Sequence, residues 1–178
     1  MELEGKRVAI LAEDQYEDLE LWYPLIRMKE AGAAVDIVGM PGVDAYQSKH
    51  GYPASVDVAV DEVLPDDFDA VIIPGGYAPD RMRRHKEMLQ LVRGIFENGG
   101  LVAFICHAGW VPVSAGIVEG KRVTSFYAIK DDLQNAGADW VDEEVVQDGN
   151  LISSRTPADL PAFCRTIIAN LEENDELA

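Results

Sequence analysis

Short continuous apolar runs alternate with helically spaced ones from end to end of the chain. Val8–Ala12, Val35–Gly39, Asp69–Ile73 and Leu101–Ile105 are rich in branched side chains, the pattern of strands buried on both faces. Asp18–Glu30 instead sets apolar Leu19, Trp22, Tyr23 and Ile26 against charges and stops at Gly32, as an amphipathic helix does. Pro24 inside that pattern predicts a kink or a late helix start. Val56–Val60 alternates weakly, and with Tyr46–Pro53 it suggests a small peripheral hairpin. Arg81–Asn98 reads as a helix closed by Gly99-Gly100, and Ala108–Ala115 as a short helix despite Pro112.

The last third continues the alternation. Arg122–Ser125 reads as a short strand and Ile129–Ala136 as a helix capped by Gly137. Val141–Gln147 and Leu151–Ser154 flank Asp148-Gly149, a two-residue hairpin signal. Ala158–Leu171 is the closing helix, and Glu172–Ala178 is expected to be a frayed acidic tail. Strands alternating with helices imply a parallel sheet covered on both faces. The expectation is an α/β fold in three layers, as a single domain over residues 1–178.

Composition narrows the function classes. With 178 residues and 48% hydrophobic content the chain can bury a sizeable core, which excludes intrinsic disorder and a small disulfide scaffold. Fifteen basic residues against 32 acidic ones give a net charge of −17. Such a field repels phosphate backbones and anionic lipid, so neither nucleic acid nor membrane is expected as a partner. Cys106 and Cys164 are the two cysteines, too few for a disulfide framework and consistent with a reducing compartment. Val8–Ala12 is too short for a signal sequence or a membrane span, so the expected address is cytoplasmic.

Ligands of open α/β sheets bind at the carboxyl ends of the strands. The residues just past those ends are Glu13–Glu17, Pro74–Asp80 and Cys106–Gly109. Cys106 ends a buried strand and starts a helix, the setting of a nucleophile elbow, where the helix start favours a thiolate. His107 is placed to take the thiol proton or to stabilise the thiolate. Gly75 and Gly76 expose backbone N–H groups suited to an oxyanion hole. Asp80 either orients an imidazole or caps the helix near Arg81. Glu17, from the residues alone, reads as an ordinary acid of a helix first turn. His50, His85 and His107 lack ligand spacing, and neither a dinucleotide fingerprint nor a P-loop lysine is present. No metal or cofactor is expected. Cys164, on an apolar helix face, reads as core.

Ala103-Phe104-Ile105-Cys106-His107-Ala108-Gly109 joins Glu17-Asp18-Leu19-Glu20, Ile73-Pro74-Gly75-Gly76, Ile129-Lys130-Asp131-Asp132 and the stretch Ser153–Leu160. In this order and spacing they resemble the PfpI family. The resemblance implies a flavodoxin-like sandwich of the class I glutamine-amidotransferase-like superfamily, assembled as a dimer or hexamer. It matches Cys106 to the elbow nucleophile, His107 to the adjacent histidine, and Glu17 to the acid that hydrogen-bonds the sulfur. It matches the N–H groups of Gly76 and His107 to the oxyanion hole, and Asp80 to an acid that reaches the histidine of a neighbouring subunit. Two positions depart from the archaeal peptidases of the family: Asp80 stands where they usually carry Glu, and Phe126 where they carry Tyr. The implied activities are cofactor-free deglycase or glyoxalase chemistry on methylglyoxal and its adducts, and intracellular cysteine peptidase activity. Peptide hydrolysis needs a well-oriented general acid for the amine, so aldehyde chemistry ranks first. The expected substrate is thus a small aldehyde, a glycated group or a peptide. A redox-sensing or chaperone protein without turnover is the alternative of a different class.

Overall fold

The apolar runs become the middle of one sheet. The computed structural model describes residues 1–176. In chain order, β1 (Arg7–Leu11) leads to α1 (Asp18–Ala31), β2 (Ala34–Gly39), β3 (Ala45–Gln47), β4 (Pro53–Ser55), β5 (Val58–Ala59) and β6 (Ala70–Ile73). Then come α2 (Ala78–Met82), α3 (Lys86–Glu97), β7 (Leu101–Ile105), α4 (Trp110–Ala115), β8 (Arg122–Val123) and α5 (Lys130–Asn135). The chain closes with β9 (Asp139–Trp140), β10 (Val145–Asp148), β11 (Leu151–Ser154) and α6 (Leu160–Glu176).

The main sheet has seven strands in the order β10-β11-β7-β6-β1-β2-β5. Every pair is parallel except β10 with β11 at the edge. Parallel strands need crossover connections, and here helices supply them, with α1 packed on α6 and α3 on α4. Each residue of β6 and β7 is buried, which requires cover on both faces and explains why these strands read as unbroken apolar runs. The carboxyl ends of the adjacent β7, β6 and β1 therefore open onto one edge.

Several elements differ from the pattern. α1 starts at Asp18 and runs through Pro24, so the late start is not found. Its buried face is Glu20, Leu21, Pro24, Leu25, Met28 and Ala31. Leu19, Tyr23 and Ile26 instead stand 56%, 39% and 61% exposed. The single helix expected over Arg81–Asn98 is two, because His85 takes extended backbone angles ahead of α3. Its ring is held there by Glu13, with Nε2 and Oε2 2.8 Å apart. Val58–Ala59 joins the main sheet beside β2, leaving β3 and β4 as the peripheral hairpin. β8 pairs in parallel with β9, a strand that the pattern does not show, in a separate two-stranded sheet. The β10–β11 turn lies one residue later than expected, at Gly149-Asn150, since Asp148 pairs with Leu151. α6 continues past Leu171, so much of the expected tail is helical; residues 177 and 178 lie outside the described residues.

Candidate active site

Cys106 has a φ of 62°, a left-handed backbone that an ordinary L-residue adopts only where its surroundings impose it. Here β7 ends at Ile105 and a tight turn over Cys106–Gly109 leads into α4. The strained turn lifts the sulfur out of the sheet edge into a cleft of about 310 Å³. Glu17, Glu20, Lys49, Gly76, His107 and Phe126 are among its walls. A larger hollow, about 470 Å³ between Lys6, Phe68, Asn98 and Leu171, lies at the amino ends of the strands and has no cysteine, serine or histidine in its lining.

Four groups surround the sulfur. His107 Nδ1 is 3.3 Å from Sγ. The backbone N–H groups of Gly76 and His107 hydrogen-bond it, as does the Glu20 carboxyl. Glu20 is fully buried and accepts the Gly75 N–H on Oε2 at 2.8 Å. Its Oε1 has no hydrogen-bond partner among the described residues. Gly75 is required by that close approach: a Cβ there would come 2.5 Å from Glu20 Oε2 and 2.8 Å from Cys106 Cβ.

This arrangement corrects two assignments. Glu17 is not the acid on the sulfur; it is the N-cap of α1, accepting the Glu20 N–H at 3.1 Å. The side chain three residues later points inward because residues 20, 24 and 28 share the buried stripe of α1. Gly75, expected in the oxyanion hole, has its N–H taken by Glu20. The N–H groups of Gly76 and His107 do converge at the sulfur.

Electrostatics links the two acids. Burial, then repulsion from Glu17, pushes the Glu20 carboxyl up to about 8. Burial, then the negative charge of Glu20, pushes the Cys106 thiol up to about 12. Two acids in contact in an apolar niche cannot both ionise, so once the pair has lost one proton it keeps the other between them. The expected lowering of the thiol by a helix start is outweighed by burial. A thiolate forms there when the shared proton sits on Glu20, stabilised by the Glu20 O–H and the two backbone N–H groups. Burial, and then the nearby Lys49 charge, lower the His107 pKa, so its imidazole is neutral at pH 7. His107 is stacked on Phe126, with centroids 4.9 Å apart at 28°, and meets the Trp110 ring edge. Among the described residues no carboxylate hydrogen-bonds it. Asp80, on α2, pairs with Arg84 instead; within one chain it does not reach His107.

Two cleft residues escaped the sequence reading. Glu20 carried a signal, a charge at the i, i+4, i+8 spacing of a buried stripe with Pro24 and Met28. Lys49 carried none, because the β3–β4 hairpin that brings it to the site is a tertiary contact. The stitching runs through Gln15 N–H to Gln47 O at 2.7 Å and Lys49 N–H to Tyr16 O at 2.9 Å.

Comparison with known proteins places the chain among its relatives. Residues 6–170 match the DJ-1/PfpI family. A deglycase of Pyrococcus abyssi is 48% identical over 167 residues, covering 93% of this chain and 99% of that one. The deglycase PfpI of Pyrococcus furiosus is 44% identical, again over 93% of this chain and 99% of its own. Drosophila melanogaster DJ-1beta superposes with a TM-score of 0.88 at 31% identity, over 94% of this chain and 90% of that one. A two-domain Anabaena variabilis protein with DJ-1/ThiJ/PfpI-like and ferritin-like domains superposes with a TM-score of 0.91 at 42% identity. The match covers 93% of this chain and 48% of that protein.

Proposed function

This chain belongs to the DJ-1/PfpI family, and from that premise we propose that it is a cysteine-dependent deglycase and glyoxalase acting on reactive 2-oxoaldehydes and their adducts. The observation that carries the reading is the contact of the fully buried Glu20 carboxyl with the Cys106 sulfur, beside two convergent N–H groups. Aldehyde chemistry needs a nucleophile, a site for developing negative charge, and a group that moves one proton between neighbouring carbons. All three are within reach of one sulfur.

The sequence of steps follows from the groups present. With the shared proton on Glu20, Cys106 Sγ adds to the aldehyde carbon, and the new alkoxide takes the N–H groups of Gly76 and His107 and a proton. The resulting hemithioacetal carries a C–H next to the ketone. Glu20, now a carboxylate, or neutral His107 removes that proton and returns it at the neighbouring carbon, giving a thioester of a 2-hydroxy acid. Water cleaves the thioester and the thiol is restored. One 2-oxoaldehyde and one water become one 2-hydroxy acid. For an adduct on an amine or thiol, departure of that group to regenerate the aldehyde precedes the same steps.

Peptide hydrolysis ranks lower because among the described residues no carboxylate orients His107 and Asp80 is paired with Arg84. A redox-sensor role is disfavoured by burial, which raises the Cys106 thiol rather than lowering it. The reading includes a homo-oligomer: Leu19, Tyr23 and Ile26 form an exposed apolar stripe along one side of α1, which a second copy would cover. The test is incubation of methylglyoxal-modified N-acetylarginine with the protein and quantification of free N-acetylarginine and lactate. Release by wild type and none by Cys106→Ala is expected; equal release by both would refute the reading.

A further inference from the structure

Lys49 is the cation on the wall of the Cys106 cleft, and its placement is built. It lies in the β3–β4 turn, and its flanking residues both grip Asp18. Ser48 Oγ donates to Asp18 Oδ1 at 2.6 Å, and His50 Nδ1 lies 2.7 Å from Asp18 Oδ2. Ser48 is buried, and its Oγ also accepts the N–H groups of His50 and Tyr52. The loop is thus fastened to the same turn of α1 that supplies Glu17 and Glu20.

Lys49 is exposed, and its ammonium lies 5.8 Å from the Tyr77 ring centroid. Among the described residues it makes no ion pair, although Glu17 lines the same cleft. In a chain with 32 acidic and 15 basic residues, a cation left unneutralised beside a nucleophile is conspicuous. Its charge is felt by both Glu20 and His107, so it lies within electrostatic reach of the reacting groups. A cation there attracts negative charge on the part of the substrate that does not react.

We propose that Lys49 is a specificity-determining residue that receives an anionic group of the substrate, so that 2-oxoaldehydes bearing a carboxylate or phosphate are preferred over neutral ones. The inference deepens, and rests on, the aldehyde reading given above. The chemistry at Cys106 is unchanged: the sulfur adds to the aldehyde carbon, and water enters at the thioester. For 4,5-dioxopentanoate the product is 2-hydroxyglutarate, one water richer. Lys49 exchanges no atoms.

Two measurements on wild type, Lys49→Met and Lys49→Arg test this. The first is alkylation of Cys106 by iodoacetate and by iodoacetamide, followed by peptide mass mapping that separates Cys106 from Cys164. In each case sulfur displaces iodide, and the ratio of the two rates cancels any change in the thiol itself. The ratio is expected to fall about fivefold in Lys49→Met, the worth of one partly solvated ion pair, and to recover in Lys49→Arg. The second is the ratio of kcat/KM for 4,5-dioxopentanoate to that for 2-oxopentanal, expected to fall similarly through KM. Unchanged alkylation ratios would overturn the proposal, even where both aldehydes are turned over and the aldehyde reading stands. A shifted alkylation ratio with no turnover of either aldehyde would support the anion site and sink the aldehyde reading instead.

Discussion

Glu20→Gln is the substitution that isolates the shared proton. Glutamine keeps the shape of the side chain and an oxygen to accept the Gly75 N–H, but it does not titrate. The wild-type carboxyl moves from 4.5 to about 8 on folding, and that gap is worth about 5 kcal/mol at about 1.4 kcal/mol per pH unit. Because the pKa is raised, the folded chain holds a proton that the unfolded chain releases. Stability is therefore fully present below about pH 4.5 and is lost as the pH rises through about 8. Glu20→Gln lacks this loss. Urea unfolding of both proteins at several pH values between about 5 and 8 should show wild type losing several kcal/mol relative to the variant, the order of magnitude set by the raised carboxyl. Parallel pH profiles for the two proteins would refute the reasoning, because they would mean that Glu20 titrates as an ordinary solvated acid.

Other substitutions probe the rest of the site. Gly76 has a φ of +79°, and a Cβ would lie 2.5 Å from Glu17 N and 2.6 Å from Gln15 O. Gly76→Ala should therefore cost about 1–3 kcal/mol in thermal unfolding and abolish turnover by moving an oxyanion donor. Phe126→Ala removes the ring stacked on His107. His107 then becomes more solvated, so its pKa, read by NMR titration, should rise toward the ordinary value, and kcat should fall about tenfold or more. Leu19→Glu combined with Ile26→Glu puts charge on the exposed stripe of α1. Light scattering after gel filtration should show a smaller species than wild type.

Legibility in the sequence followed the reach of each interaction. β1, β2, β6 and β7 are buried on both faces, so their identity is local, and the apolar runs reported them almost to the residue. The elbow was legible for the same reason: an abrupt strand end, a cysteine, then small residues. What was missed depended on distant partners. β9 is a two-residue strand defined by its pairing with β8, and the break between α2 and α3 coincides with a His85 contact to Glu13, 72 positions away. In α1 the apolar count favoured Leu19, Tyr23 and Ile26, whereas the sheet covers the neighbouring face. That choice of face put Glu20 among the solvent-side charges, and the family resemblance then named Glu17 as the acid. Once a charged residue shares a stripe with Leu21, Pro24 and Met28, burial of a carboxylate needs a chemical reason, and the Cys106 sulfur supplies it.

The account rests on Cys106 and Glu20 acting together on an aldehyde. Its most direct test is methylglyoxal consumption without glutathione, with lactate quantified, by wild type, Cys106→Ala, Glu20→Gln and Glu17→Gln. Many equivalents of lactate per subunit from wild type, none from Cys106→Ala, a loss of at least about 100-fold in Glu20→Gln and a small effect in Glu17→Gln are expected. Wild-type rates in Glu20→Gln, or loss confined to Glu17→Gln, would contradict it.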